Sequence, residues 1–298
     1  MYYNYYILLI GGVMKIAVIG LGLIGGSFCK AITAKTQHSC YGLDLDQASI
    51  SSAVSDGAIV GGIGCDELSE MDMTIVCLHP HAALDFIKAN AVNFKKGSIV
   101  IDSCGVKTNI VSEAEKALIP FGVSFVGCHP MAGREFSGYA YSQASLFERA
   151  SFIITPTETT NELDVSAVSE FAKAVGFARV VITTPHEHDR IIAFTSQLAH
   201  VVSSAYVKSP TLQSFNGFSA GSFMDLTRVA KLNEDMWTSL FLMNKGPLIN
   251  EIETITEKLN EYKEALRSDN SEELKKLLKE GRILKESIET QQTLSNLK

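Results

Sequence analysis

Residues 15–27 read Lys15-Ile-Ala-Val-Ile-Gly20-Leu-Gly22-Leu-Ile-Gly25-Gly26-Ser27, and this stretch decides the fold. Four apolar residues after Lys15 form a strand that enters G-x-G-x-x-G and then a helix. The first glycine permits a tight turn. The second lets backbone approach a pyrophosphate, and the third allows close helix–strand packing. Gly20, Gly22 and Gly25 therefore outline a dinucleotide loop, with the amides of Leu23 and Ile24 facing the anion at the helix start. Asp44 ends the next strand, 19 residues after Gly25. A carboxylate there accepts hydrogen bonds from an adenosine ribose and repels a 2′-phosphate, so the sequence favours NAD over NADP.

The surrounding run imitates a membrane span, since Lys15 and Lys30 are the only charged residues from Ile7 to Ile32. Its glycines argue against a helix of that length, at about 1 kcal/mol each relative to Ala. Residues 1–13 lack the basic start of a signal peptide and read as a short extension.

Downstream, short apolar runs alternate with helical segments. Strands are expected at Lys15–Ile19, Cys40–Leu43, Met73–Leu78, Ser98–Ile101, Ser124–Val126, Ser151–Thr155 and Arg179–Thr183. Helices are expected at Leu23–Ala34, Gln47–Ser55, His81–Ala91, Asn109–Leu118 and Glu162–Val175. Continuous apolar strands interleaved with helices imply a doubly wound parallel sheet covered on both faces. After Pro185 no strand pattern follows. Ile191–Val207 reads as one long apolar helix, and Leu248, Ile252, Ile255, Leu259, Tyr262 and Leu266 recur at helical spacing. That stripe fits either an intrachain core or a dimer interface. The expectation is α/β: a Rossmann-like NAD-binding domain at 14–184 followed by an all-α substrate and dimerisation domain at 185–298.

Composition narrows the function classes. Of 298 residues, 46% are hydrophobic and 20% charged, enough to build a core and too apolar for intrinsic disorder. Lys plus Arg is 26 against 33 acidic residues, so nucleic-acid binding is not expected, nor is a membrane location. Six cysteines without a C-x-x-C pair read as reduced, buried thiols of a cytoplasmic protein.

A second motif stands at Gly127-Cys128-His129-Pro130-Met131-Ala132-Gly133-Arg134-Glu135-Phe136-Ser137-Gly138. His129 follows a strand at the edge where open α/β sheets place ligands. With Asp102…Lys107, Ser196-Gln-Leu-x-His200, Gly221-Ser-Phe-x-Asp225-x-Thr-Arg228 and Met236-Trp237, this order of motifs resembles the prephenate/arogenate dehydrogenase family of tyrosine biosynthesis. The resemblance implies NAD-dependent oxidative decarboxylation of prephenate, with arogenate as the alternative substrate. A β-hydroxyacid-type dehydrogenase and a non-enzymatic NAD-sensing regulator are weaker rivals.

The resemblance also implies site residues. His129 is expected to accept the substrate's hydroxyl proton, since imidazole titrates at about 6.5. Arg228 would bind a carboxylate through its planar fork, oriented by Asp225. His200 is expected to donate to the side-chain keto acid, with Ser196 one turn earlier on the same helical face and Glu135 at the pocket mouth. In the family a serine follows Asp-x-Gly and assists the histidine. Gly105 stands at that position here, leaving Ser103 or Thr108 as substitutes. Trp237 is expected in the core. His186 and His188, near Glu187 and Asp189, read as a helix N-terminal turn rather than a metal site. A homodimer through the helical domain is expected, with little room for an appended regulatory module.

Overall fold

The computed structural model describes residues 12–134, 136–214, 217–218 and 220–296, with side chains to residue 290. Eight strands form one sheet in the order β3-β2-β1-β4-β5-β6-β7-β8. They are β1 (Lys15–Ile19), β2 (Ser39–Leu43), β3 (Gly61–Gly62), β4 (Met73–Val76), β5 (Ile99–Asp102), β6 (Ser124–Pro130), β7 (Ser151–Thr155) and β8 (Arg179–Ile182). Every neighbouring pair is parallel except β6–β7. The chain reverses direction across the sheet between β1 and β4, which is where a doubly wound sheet opens its ligand crevice. The two-residue strand β3 was not legible, because two glycines carry no side-chain pattern.

Successive side chains along a strand face opposite ways. Ile16 and Val18 accordingly join one buried cluster, while Ala17 and Ile19 join another on the opposite face. The first contains a packed aromatic knot, with Phe147 stacked on Phe177 at 4.4 Å and tilted against Phe28 at 4.6 Å. Helices α1 (Leu23–Lys35), α2 (Gln47–Ser55), α3 (Pro80–Asn90), α4 (Thr108–Leu118) and α5 (Glu162–Ala174) cover the sheet. Caps set two of their starts: Asp46 accepts the amides of Ala48 and Ser49, and Asn161 accepts that of Leu163. All six cysteines are unpaired; Cys65 and Cys77 are half-buried rather than buried as expected.

Beyond the sheet, the expected helix at 191–207 starts earlier and changes pitch. It comprises α6 (Pro185–Ile192), a π-helical segment Ala193–Leu198 and α7 (Ala199–Tyr206). Then follow α8 (Gly221–Thr227) and α9 (Glu234–Met243). The chain separates into two compact units at Lys245/Gly246. The first runs past the change of character at Pro185 because polar bonds tie α6 and α9 to the sheet. Lys107 N–H donates to Asp189, and Asn244 Nδ2 donates to the Asp189 carbonyl.

The second unit is helical. It carries α10, which begins at Lys245 (Lys245–Arg267), and α11 (Ser271–Asn296). Asp269 turns the chain with φ +49°, and Asn270 accepts the amide of Glu273. Ala265 and Leu277 are buried, whereas Leu259, Leu266 and Leu284 are more than 60% exposed. Among the described residues no helix is long and apolar enough to cross a membrane.

Candidate active site

His129 lies within β6, not in a loop after it. The expected strand stopped at Val126, but the antiparallel ladder with β7 carries it to Pro130 and pairs His129 with Ile153. Cys128, the preceding residue, is held at both backbone groups. Its N–H donates to Asp102 Oδ1 at 2.9 Å, and its carbonyl accepts from Lys107 Nζ at 2.6 Å. Lys107 Nζ also donates to Asp102 Oδ2, and both side chains are fully buried. Such a pair is tolerated only when its remaining polar capacity is filled. The Cys104 amide helps, donating to Asp102 Oδ2 at 3.0 Å.

A second chain of bonds orients the His129 ring. Its Nδ1 lies 2.9 Å from His188 Nε2, and His188 Nδ1 lies 2.8 Å from Asp189 Oδ1. Asp189 also accepts the amides of Lys107 and Thr108 at 2.7 and 2.8 Å. Burial pushes the Asp189 carboxyl up, but the bonds from His188, Thr108 and Lys107 outweigh it and hold the group below its usual value. An ionised carboxylate only accepts. The network therefore assigns the proton on His188 to Nδ1 and leaves His188 Nε2 to accept from His129 Nδ1–H. His129 Nε2 keeps a free lone pair. Burial depresses the His129 pKa well below its ordinary value, helped by repulsion between the protonated forms of His129 and His188 and by the Lys107 cation, and opposed by Asp189. The ring is neutral at pH 7 and able to take a proton.

His188 and Asp189 were missed as partners of His129. Their signal, a His-Asp pair in a helical first turn, was read only as local structure, and its partner lies 59 residues away. Thr184 caps that turn by accepting the Glu187 amide. His186 lines a surface groove with Pro185 and Thr108, apart from His188. Gly105 does sit beside the His129 ring: a Cβ there would lie 3.9 Å from His129 Nε2 and Cε1. The two expected substitutes are engaged elsewhere, Ser103 with the Cys77 thiol and the Thr108 hydroxyl with Asp189.

The glycine loop has the shape a dinucleotide needs. Gly20 has φ +88°, and a Cβ there would lie 2.6 Å from the Cys77 carbonyl oxygen. A Cβ on Gly25 would lie 1.9 Å from the Gly20 oxygen, so helix and strand touch through hydrogen alone. At Gly22 nothing lies within 4 Å of that position, the open space a pyrophosphate would fill. No acidic residue occupies the first turn of α1 and no side chain caps it, so the amides of Leu23 and Ile24 stay available to an anion. Asp44 is held at the end of β2, with Oδ2 accepting Leu21 N–H at 2.6 Å and Oδ1 accepting Asp46 N–H at 2.8 Å.

The helical side brings a second group together. His200 Nδ1 lies 3.1 Å from the Val229 carbonyl, and its ring packs on Trp237 at 3.9 Å between centroids. Burial lowers the His200 pKa; the Val229 bond opposes this, and nearby Arg228 adds to it. Trp237 is half-buried against that ring rather than in the core. Arg228 and Asp225 are exposed at the end of α8, and Glu135 lies outside the described residues. Ser196 falls in the π-helical segment, so its position relative to His200 is not the simple α-helical turn expected. Helix α9 spans both groups. Leu240 reaches the Gly105–His129 corner, and Trp237, one turn earlier, meets His200. Gln197 Nε2 donates to the Leu240 carbonyl at 3.3 Å and Asn244 Nδ2 to Gln197 Oε1 at 2.8 Å, fixing α9 on the π-helical segment.

A dinucleotide-type glycine loop and a neutral, oriented imidazole in one fold are the parts an NAD-dependent dehydrogenase needs. Family models give the class a name. The model described as "Prephenate dehydrogenase, nucleotide-binding domain" matches residues 28–188, and "Prephenate dehydrogenase, dimerization domain" matches 184–280. The chain belongs to the prephenate dehydrogenase family and is an NAD-dependent oxidoreductase. It is 29% identical to a prephenate dehydrogenase of Lactococcus lactis over 92% of this chain and 77% of that one. A cyclohexadienyl dehydrogenase of Zymomonas mobilis is 28% identical over 92% and 96%. The crystal structure of prephenate dehydrogenase from Aquifex aeolicus, in complex with hydroxyphenyl propionate and NAD+, superposes with TM-score 0.83 at 31% identity. It covers 93% of this chain and 98% of that one.

Proposed function

We propose that this protein oxidises and decarboxylates prephenate to 4-hydroxyphenylpyruvate and CO2, with His129 Nε2 as the proton acceptor. The observation that carries the reading is the Asp189–His188–His129 relay, which leaves that nitrogen unprotonated and aimed past Gly105. NAD, when bound, supplies the hydride acceptor. Gly20, Gly22, Gly25, Leu23 and Ile24 would hold its pyrophosphate and Asp44 its ribose. His129 takes the C4 hydroxyl proton as hydride leaves C4. Loss of CO2 then sends electrons into the ring, and the proton returns from His129 to the new phenol oxygen. No net proton is released, so the base must give back what it takes. A depressed pKa suits that return.

Arg228 holds a substrate carboxylate and Asp225 orients it, with Ser196 as a further contact of the pocket. The parallel with the Aquifex complex, which contains a hydroxyphenyl compound and NAD+, supports this chemistry. A division of the chain near 184/185 is supported by the two family models, which overlap at residues 184–188. A homodimer through the helical part is supported by the description of the second model and by the exposed leucines of α10 and α11. Unpaired cysteines suit a cytoplasmic location.

Arogenate is a second reading favoured by one observation. His200 was expected to donate to a keto group. Its Nδ1–H is instead committed to the Val229 carbonyl, so the neutral ring offers Nε2 as an acceptor, which suits an ammonium. Purified protein with NAD and each substrate in turn, followed by NADH absorbance, tests both readings. Higher kcat/KM with arogenate would reverse the order proposed, and no NADH from either would reject the reaction.

A further inference from the structure

His188 and His200 stand on one continuous helical rod made of α6, the π-helical segment and α7, with the change of pitch between them. His188 orients the base, and His200 stands with Trp237 at the other end of the site. The spacing and relative facing of the two ends therefore depend on the pitch of Ala193–Leu198, because a π turn holds more residues than an α turn.

A wide turn inside a helix needs a cause. Part of it is local: Thr195 Oγ1 donates to the Ile191 carbonyl at 2.9 Å, a bond to the preceding turn of the kind that bends helices. The rest comes from α9. Asn244, 3% exposed at the C-terminal end of that helix, reaches across the change of pitch. Its Nδ2 donates to the Asp189 carbonyl, ahead of the π-helical segment, and to Gln197 Oε1, within it, at 2.8 Å each. Gln197, 2% exposed, donates through Nε2 to the Leu240 carbonyl at 3.3 Å. Backbone carbonyls only accept, so they settle both amide orientations. The Asp189 carbonyl requires the NH2 of Asn244 to face it. The Leu240 carbonyl requires the NH2 of Gln197, which leaves Gln197 Oε1 to accept from Asn244. Helix α9 in turn touches both ends of the site. Leu240 packs on the core cluster that contains Val106 and would lie 3.8 Å from a Cβ at Gly105, and Trp237 lies on His200.

We propose that Asn244 and Gln197 staple the π-helical segment, fixing the distance between His129 and His200 and so the length of substrate the site accepts. They are positioning residues that act through the helices they join. Without the staple the segment is free to return to α pitch, which turns His200 relative to His188. The length limit rests on the proposed placement of the substrate between His129 and His200.

Binding of hydroxyphenyl acids with one, two or three methylenes between ring and carboxylate, measured by calorimetry on the full chain with saturating NAD, tests that limit. The unaltered protein should favour one length over its neighbours by about tenfold or more, the discrimination expected for a single methylene in a formed pocket. Gln197→Met and Asn244→Leu keep the volume and remove the bonds. In each, the preference should fall below about threefold while NAD affinity stays the same. Emission of Trp237, the only tryptophan, reports the contact of α9 with His200 when no ligand is present. Its maximum should move to longer wavelength in both variants as the ring loses that packing. If circular dichroism shows that either variant fails to fold, Asn244→Ser, which retains one donor, carries the test and should show a smaller loss of the same kind. An undiminished length preference in a folded variant overturns the staple. If none of the acids binds the unaltered chain, the assigned substrate class falls, and unchanged Trp237 emission in the variants would then overturn the staple separately.

Discussion

The two sides of the site are built to different standards of rigidity. On the sheet side, the backbone of Cys128 is held by a fully buried Asp102–Lys107 pair, and the His129 ring is held by His188 and Asp189. On the helical side, Arg228 and Asp225 are exposed, His200 is half-buried, and a π-helical segment interrupts the helix that carries Ser196. The difference matches the tasks proposed for the two sides. Proton transfer needs a base placed within a few tenths of an ångström, which packed strands supply. Carboxylate recognition by a guanidinium tolerates more latitude, because charge acts over distance and the substrate completes the geometry.

The contrast can be broken at several points. His129→Asn should lower kcat by about 10²–10⁴ while NAD affinity, measured by fluorescence titration, stays the same. Unchanged kcat would remove His129 from the chemistry. Lys107→Met leaves Asp102 as an uncompensated buried charge and should destabilise the fold by about 3–5 kcal/mol, read as a lower urea midpoint. A smaller shift would mean the sheet side is less rigid than its bonds suggest. On the helical side, Arg228→Ala should raise the prephenate KM by about 10–100-fold, as for a lost charged hydrogen bond of about 1.5–3 kcal/mol, with kcat less affected. If kcat fell instead with KM constant, Arg228 would belong with the chemistry.

The pH profile sharpens the comparison. In the proposed reaction His129 acts as its neutral form, and burial with the nearby Lys107 cation depresses its pKa. The acid limb of kcat/KM should therefore lie below pH 6.5, with activity level from there through pH 8. Asp189→Asn removes the anion that opposes this depression, so the limb should move to still lower pH as kcat falls. A limb above pH 6.5 would contradict the depressed pKa. Gly105→Ser should have the smallest effect. Its Cβ meets only ordinary contacts, so stability should change by less than about 1 kcal/mol. A rise in kcat would show that the histidine can still use a neighbouring hydroxyl.

Much of the nucleotide half was legible because its rules are local. Gly20 and Gly25 are each required by one close approach, Gly22 leaves open space at the loop, and Asp44 follows at a fixed spacing just after β2. The strand runs were visible because parallel strands buried on both faces must be continuously apolar. His129 stood out by its motif, but its place within β6 did not, since the extension depends on β7 pairing from 24 residues further on. The partnership of His129 with His188 was invisible for the same reason: nothing local to either residue distinguishes a relay from a helix start.

The sequence by itself determined the α/β architecture and the NAD-binding fold, because backbone sterics and burial periodicity act between near neighbours, and its motif singled out His129 as the candidate base. Only the tertiary structure decided which nitrogen of that histidine is free. It also decided that Trp237 flanks His200, and that Gly26 packs against Tyr139 and Ser142. Those outcomes depend on groups that folding brings within 3 or 4 Å across tens of residues of chain.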